Sequence, residues 1–249
     1  MKPNRHVCCW VVSLVAMLCA ACAPMPAGTP LDSTQAAAAP VITAGESWTY
    51  AVRDGYTGLD RGTERYRVDQ VAAGNITVAR ERSGIEDVQV YDSSWNWLRR
   101  PATNMQLFNY SPAYQAFDFP LAPGKHWHTR LTATDPTNGR RFPVHLDGKA
   151  IGWERVRVPA GEFDAIKIVR GVYVDYWDQS TRGSSQIVEM EWYAPAVKQA
   201  VRRETNSRYW SLLGARDEGF VRVSKSDGGG PTWRRDDWLI YELVDYTPR

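Results

Sequence analysis

Two-residue alternation of apolar and polar side chains recurs along this chain, and no stretch sustains a 3.6-residue period over three helical turns. Val88 and Val90 alternate with Gln89 and Tyr91. Val188, Met190 and Trp192 alternate with Glu189 and Glu191, which predicts a solvent face for the two acids. Ile166 and Ile168 flank Lys167, and Val172, Val174 and Tyr176 continue the habit. Near the end, Trp238 and Ile240 share one face while Leu239, Tyr241 and Leu243 share the other, the pattern of a strand covered on both sides. Turn formers punctuate these runs: Asp54-Gly55, Gly74-Asn75, Asn138-Gly139, Asp147-Gly148, Pro159-Ala160-Gly161 and Gly228-Gly229-Gly230. Ala194 to Ala200 suits one short helical turn, with Pro195 near its start. The pattern predicts an all-β fold: a single domain of antiparallel strands forming a curved sheet, a sandwich or an open barrel. Ala44-Gly45-Glu46-Ser47-Trp48-Thr49 compares with Pro123-Gly124-Lys125-His126-Trp127-His128, a hint of two related halves.

The first residues have another texture. Lys2 and Arg5 precede an apolar run from Val7 to Leu18, and the small residues Ala20 and Ala21 lead into Cys22. This reads as a secretory signal peptide over residues 1–21, its apolar run short of the roughly 20 residues that span a bilayer. No Arg-Arg pair precedes the run, which favours the general secretory route. All four cysteines, Cys8, Cys9, Cys19 and Cys22, lie here, so the chain from Ala23 onward has no disulfide, no nucleophilic thiolate and no cysteine ligand for zinc. Removing Lys2 and Arg5 leaves 28 basic against 28 acidic residues. That balance gives neither a nucleic-acid footprint nor a polybasic membrane patch. Residues 23–40, rich in Ala and Pro, lack the large apolar residues needed to fold and read as a flexible tether with a reach of at most about 60 Å. Residues 41–249 form the predicted domain.

Leu18-Cys19-Ala20-Ala21-Cys22 resembles the bacterial lipobox, which implies a lipid on Cys22, with Cys19 as a second candidate acceptor. Three further segments resemble a group of β-rich periplasmic proteins and lipoproteins of Gram-negative bacteria: Gly45-Glu46-Ser47-Trp48-Thr49-Tyr50, Val158-Pro159-Ala160-Gly161-Glu162-Phe163-Asp164-Ala165-Ile166-Lys167 and Glu191-Trp192-Tyr193-Ala194-Pro195-Ala196-Val197. The resemblance implies an envelope protein with a curved antiparallel sheet and no assigned chemistry. It supplies no catalytic residues. By the sorting logic of lipoproteins, Ala23 after the acceptor, in place of aspartate, implies the outer membrane facing the periplasm. A more distant likeness is to half-barrel carriers that move lipoproteins in an apolar cavity.

The residues offer few chemical constellations. His126 and His128 flank Trp127 and share one face of a strand, where His145 or a carboxylate would complete a metal site; without an HExxH-like spacing, no metal centre is predicted. The acid pairs Glu189 with Glu191 and Asp175 with Asp178 would suit glycoside hydrolysis only if brought across a sugar. Ser47 lacks the second glycine of a nucleophile elbow. Four pairs, Arg99-Arg100, Arg140-Arg141, Arg202-Arg203 and Arg234-Arg235, split across the two faces of a strand and read as edge protection. No catalytic residue and no cofactor are predicted. The aromatic residues of 93–120 stand out because their spacing is irregular. Trp95, Trp97, Phe108, Tyr110 and Tyr114 are the candidate ligand-binding residues, for a sugar ring, an apolar ligand or a partner peptide, with a plug for the sheet core as the competing role. The expected function is a membrane-anchored, non-enzymatic binding or assembly module whose partner is an envelope protein or glycan. The alternatives are a hydrolase of envelope polysaccharide using paired carboxylates, and a lipid or lipoprotein carrier with a half-barrel cavity.

Overall fold

Each alternating run becomes a strand, and each strand pairs with the next along the chain. The computed structural model describes residues 28–102, 106–176, 182–211 and 232–249. The signal peptide, Cys22, Asp178 and Gly228 to Gly230 lie outside the described residues. The strands are β1 (Thr29–Leu31), β2 (Ser47–Asp54), β3 (Asp60–Ala72), β4 (Asn75–Arg82), β5 (Ile85–Asp92), β6 (Trp97–Pro101) and β7 (Leu107–Tyr114). They continue as β8 (His126–Thr134), β9 (Arg141–Val158), β10 (Gly161–Val174), β11 (Arg182–Ala194), β12 (Gln199–Ser211) and β13 (Thr232–Thr247). From β2 to β13 every neighbour is antiparallel, and β13 returns to β2, setting Thr247 opposite Ser47. The result is a closed barrel of twelve strands, narrower than the sheet, sandwich or open barrel expected from sequence. Closure satisfies the edges that an open sheet would leave unpaired.

β1 is a thirteenth strand. β9 is 18 residues long, and β8 covers only its Arg141–Lys149 portion, so β1 pairs farther along the same edge, with Thr29 opposite Arg155. Ala37 is buried and bridged to Leu121 by two backbone hydrogen bonds of 2.8 Å. The Trp153 indole donates to the Gln35 carbonyl at 2.8 Å. Residues 28–40, read from composition as free tether, are therefore seated on the domain. Backbone pairing and aromatic contacts hold them without large apolar side chains of their own.

Two further expectations change. Asp147-Gly148 is not a turn but lies inside β9. Glycine is needed there because the Trp127 indole of β8 lies on it: a Cβ at Gly148 would meet Trp127 Cε2 at 2.1 Å. The irregular stretch 93–120 contains two strands, β6 and β7, whose short pairings and register shifts hid the alternation. The other described turns fall where expected, and Pro195–Val197 forms a single 3-10 turn.

The two segments compared at the starts of β2 and β8 share a backbone device. Gly45 and Gly124 both have positive φ, 90° and 84°. The Gly45 N–H donates to Val68 O at 2.7 Å and Val68 N–H to Glu46 O at 2.9 Å. Gly124 N–H donates to Ala150 O at 2.8 Å and Ala150 N–H to Lys125 O at 2.9 Å.

The barrel has a second, smaller layer. After a register shift at Lys167/Ile168, the end of the β9–β10 hairpin touches β12 and β13, and the Ala160 N–H bonds to Leu243 O at 2.9 Å. Val156, Val158, Trp192 and Ile240 are buried beneath it. This covering explains why Leu239, Ile240 and Tyr241 are buried in succession, as the two-sided pattern of the last strand predicted.

A substitution at Gly148 tests the fit of the barrel wall. Gly148→Val is expected to cost about 3 kcal/mol or more and lower the melting temperature by roughly 6–12 °C. Gly152→Ala, where a Cβ meets nothing within 4 Å, serves as the control and is expected to melt close to wild type. Equal melting of the two variants by circular dichroism would contradict this account of β9.

Candidate functional site: the barrel interior

The inward faces of β5 and β11 are the reverse of those expected. Glu189 and Glu191 are 5% and 4% exposed, while Val188 is 48% exposed. Gln89 and Tyr91 likewise point inward and Val88 outward, at 46% exposure. The reason is Arg170 of β10, fully buried. Its Nε donates to Glu189 Oε2 at 2.8 Å, its Nη2 lies 3.1 Å from Glu191 Oε1, and its Nη1 donates to the Ala116 carbonyl at 2.9 Å. The Tyr114 hydroxyl adds a bond to Glu189 Oε2 at 2.8 Å. Burial, and then the Glu189 charge, hold the Tyr114 phenol well above its ordinary value, so it acts as a donor. Burial pushes the Glu191 carboxyl up, but the attraction of Arg170 and Arg203 and the bond to Arg170 outweigh it and leave the group below 4.5.

One end of the barrel is closed by connections folded across it. The backbone from Val197 to Ala200 offers three carbonyls to inward-facing rings: Trp48 Nε1 donates to Val197 O at 2.7 Å, Trp95 Nε1 to Lys198 O at 3.1 Å and the Tyr50 hydroxyl to Ala200 O at 2.7 Å. Lys198 in turn reaches the buried Glu46 at 2.5 Å. Phe117 and Phe119 stack 5.5 Å apart and both contact Tyr193. The Phe117 N–H is fixed by Asn96 Oδ1 at 2.9 Å.

All five candidate ligand-binding aromatics are buried inside. Trp97 and Tyr114 stack at 3.9 Å, Tyr110 lies 5.6 Å from Tyr114, and Phe108 lies 6.3 Å from Tyr110. Trp95 belongs to a separate group with Trp48 and Tyr91, at 5.6 and 5.0 Å. Only Trp95 and Trp97 of the five border interior space. Two small spaces remain, about 20 and about 30 Å3, and Tyr66, Trp97, Arg100 and Arg203 line both. The two arginines were missed from sequence. The signal was present in Arg99-Arg100 and Arg202-Arg203, because a strand that splits such a pair across its faces sends one member into the barrel.

The remaining constellations separate. His126 and His128 are exposed on the outer face of β8, where His128 Nδ1 lies 2.7 Å from Asp147 Oδ1. Among the described residues no three His, Cys, Asp or Glu residues are grouped to hold a metal ion. Glu189 and Glu191 do lie together, but with one shared guanidinium as counter-ion they supply no protonated carboxyl for a general acid.

Arg170→Met is expected to destabilise the protein by about 3–5 kcal/mol, since it strands two buried carboxylates. Adding Glu189→Gln and Glu191→Gln is expected to restore part of that loss, and no recovery would argue against the ion cluster as its source. The lowered carboxyl of Glu191 contributes stability that is complete above pH 4.5 and lost as pH falls through its folded value. Melting curves between about pH 6 and about pH 3 are expected to fall less steeply in Glu191→Gln than in wild type.

No family model matches the chain, and no curated protein matches it. Three solved structures are similar. A candidate lipoprotein from Parabacteroides distasonis ATCC 8503 is 17% identical, over 86% of this chain and 100% of that one, with a TM-score of 0.47. A candidate exported protein with a YmcC-like fold from Bacteroides fragilis NCTC 9343 is 18% identical over 86% and 100%, with a TM-score of 0.44. The hypothetical lipoprotein YmcC from Escherichia coli K12 is 11% identical over 82% and 86%, with a TM-score of 0.43. What the chain resembles in structure is thus the class its sequence resembled, exported proteins and lipoproteins of bacteria.

Proposed function

We propose that this chain is a lipid-anchored protein of the bacterial envelope that works as a non-enzymatic assembly module and meets a partner protein through its outer surface. The observation that carries this reading is the filled barrel. A twelve-strand barrel encloses more room than the eight-strand kind that side chains just fill. Here Trp, Tyr and Arg side chains occupy it and leave spaces of about 20 and 30 Å3, against roughly 300–1,000 Å3 for a small-molecule pocket. Neither an acyl chain nor a sugar ring fits such spaces, which weighs against the carrier and the glycan readings. The larger hollows lie elsewhere. One of about 860 Å3 is bordered by Gln35 to Val41, Trp153 and Phe163. Another of about 1040 Å3 is bordered by Gly28, Arg53, Arg155, Trp238 and Ile240.

Anchoring rests on Cys22, with Ala20 and Ala21 before it and no cysteine after it. Ala23 supports the outer membrane as the destination. Cys22→Ser is expected to move the protein from the membrane pellet to the soluble periplasmic fraction, and retention in the pellet would sink the anchor. For the assembly role, crosslinking in intact cells is expected to give one reproducible heavier species containing a second protein. Native mass spectrometry of the Cys22→Ser chain that revealed a bound organic molecule, lost on denaturation, would overturn the role in favour of a carrier.

A further inference from the structure

Arg100 and Arg203 are the two interior cations with no carboxylate assigned to them. The guanidinium carbon of Arg100 lies 4.1 Å from the Trp97 ring centre, and that of Arg203 lies 4.2 Å from Tyr241. Arg203 Nη2 donates to the Tyr66 hydroxyl at 3.2 Å, and that hydroxyl donates onward to Glu64 at 2.6 Å. Neither arginine has a carboxylate oxygen within 4.0 Å among the described residues. Both border the same two small spaces.

The neighbouring acids are committed elsewhere. Glu191 borders the first space and Glu189 the second, and both are bound by Arg170. Glu64 lies 3.4 Å from Arg82 and 3.9 Å from Arg80. Asp237 also borders the second space, where burial, and then Asp236, push its carboxyl up and favour its neutral form. Around the two spaces, three guanidiniums, Arg100, Arg170 and Arg203, therefore face the two carboxylates Glu189 and Glu191. One positive charge is left in excess in a region walled by aromatic rings, where an uncompensated charge is costly.

We propose that Arg100 and Arg203 together hold one small monovalent anion of chloride's size inside the barrel. The excess of a single charge calls for a monovalent ion, and spaces of about 20 and 30 Å3 admit a group the size of one or a few waters. Sulfate and phosphate are too large and too highly charged. The ion is part of the folded barrel's charge balance, and this role is independent of any partner at the outer surface.

The test uses the mature chain carrying Cys22→Ser, melted in sodium chloride and in sodium gluconate at equal ionic strength. Chloride is expected to raise the melting temperature in a saturable way, by roughly 3–6 °C at ten times its dissociation constant. Arg203→Met and Arg100→Met are each expected to remove the difference between the two salts. Equal melting of the wild type in both salts would mean that water alone fills the spaces and would overturn the proposal. So would a chloride effect that survives in both variants, which would mean the ion binds elsewhere. Because either variant can fail to fold, crystals of the unmutated side-chain set grown in sodium bromide provide an independent readout. A single anomalous peak between Arg100 and Arg203 is expected, and its absence there would overturn the assignment.

Discussion

The fold depends on one buried guanidinium. Arg170 sits fully inside the barrel and joins β10 to β11 through Glu189 and Glu191 and to the closing segment through the Ala116 carbonyl. Placing three ionised groups out of water is expensive, and their mutual attraction repays it only when geometry is good and other partners are present. Both conditions hold: Tyr114 adds a donor to Glu189, and Ala116 takes the donor that the carboxylates leave over. An apolar residue of similar volume would fill the same space. It would not require β11 to turn its glutamates inward, and it would give no directional hold on the segment that crosses the barrel end. We read the cluster as setting the register of the wall as well as stabilising it.

Polar contacts also decide how the barrel closes at that end. Trp48, Trp95 and Tyr50 bury large rings, yet each carries a donor that needs a partner. The backbone between Val197 and Ala200 supplies all three acceptors. The short 3-10 turn at Pro195–Val197 and the left-handed Lys198 that follows it turn these carbonyls toward the rings. Apolar burial and backbone satisfaction are met by the same few residues, and the interior aromatics serve as a plug.

The sequence made the class of fold legible, while the sign of each strand remained hidden. Alternation at Val188–Glu191 and Val88–Tyr91 marks two faces of a strand without saying which one meets water. In a barrel whose interior holds arginine and glutamate, hydrophobicity points the wrong way. The last strand was readable because Leu239, Ile240 and Tyr241 are apolar on both faces, and only a second layer explains that. Asp147-Gly148 looked like a turn because the indole that requires the glycine comes from Trp127, twenty-one residues earlier in the chain. Strands β6 and β7 escaped notice because shifted registers at Trp97/Arg99 break the period locally. The candidate aromatics were rightly singled out as unusual, and the structure makes them interior packing. Arg100 and Arg203 were legible only as halves of basic pairs.

Closure of β13 onto β2 sets a limit on how the chain reaches this state. The Tyr246 hydroxyl meets Glu46, 200 residues away, and the rings of Trp48 and Tyr246 stack at 5.5 Å. Every hairpin in between can form from local sequence, but the wall is not continuous until these two strands meet. Closing so long a loop is entropically slow, and contacts of this separation go with slow folding. A chain emerging N-terminus first into the periplasm would hold the edge of β2 open until β13 arrives. During that interval a hydrophobic strand edge is exposed to other chains, so the last sixteen-residue strand acts as the fastener of the whole wall.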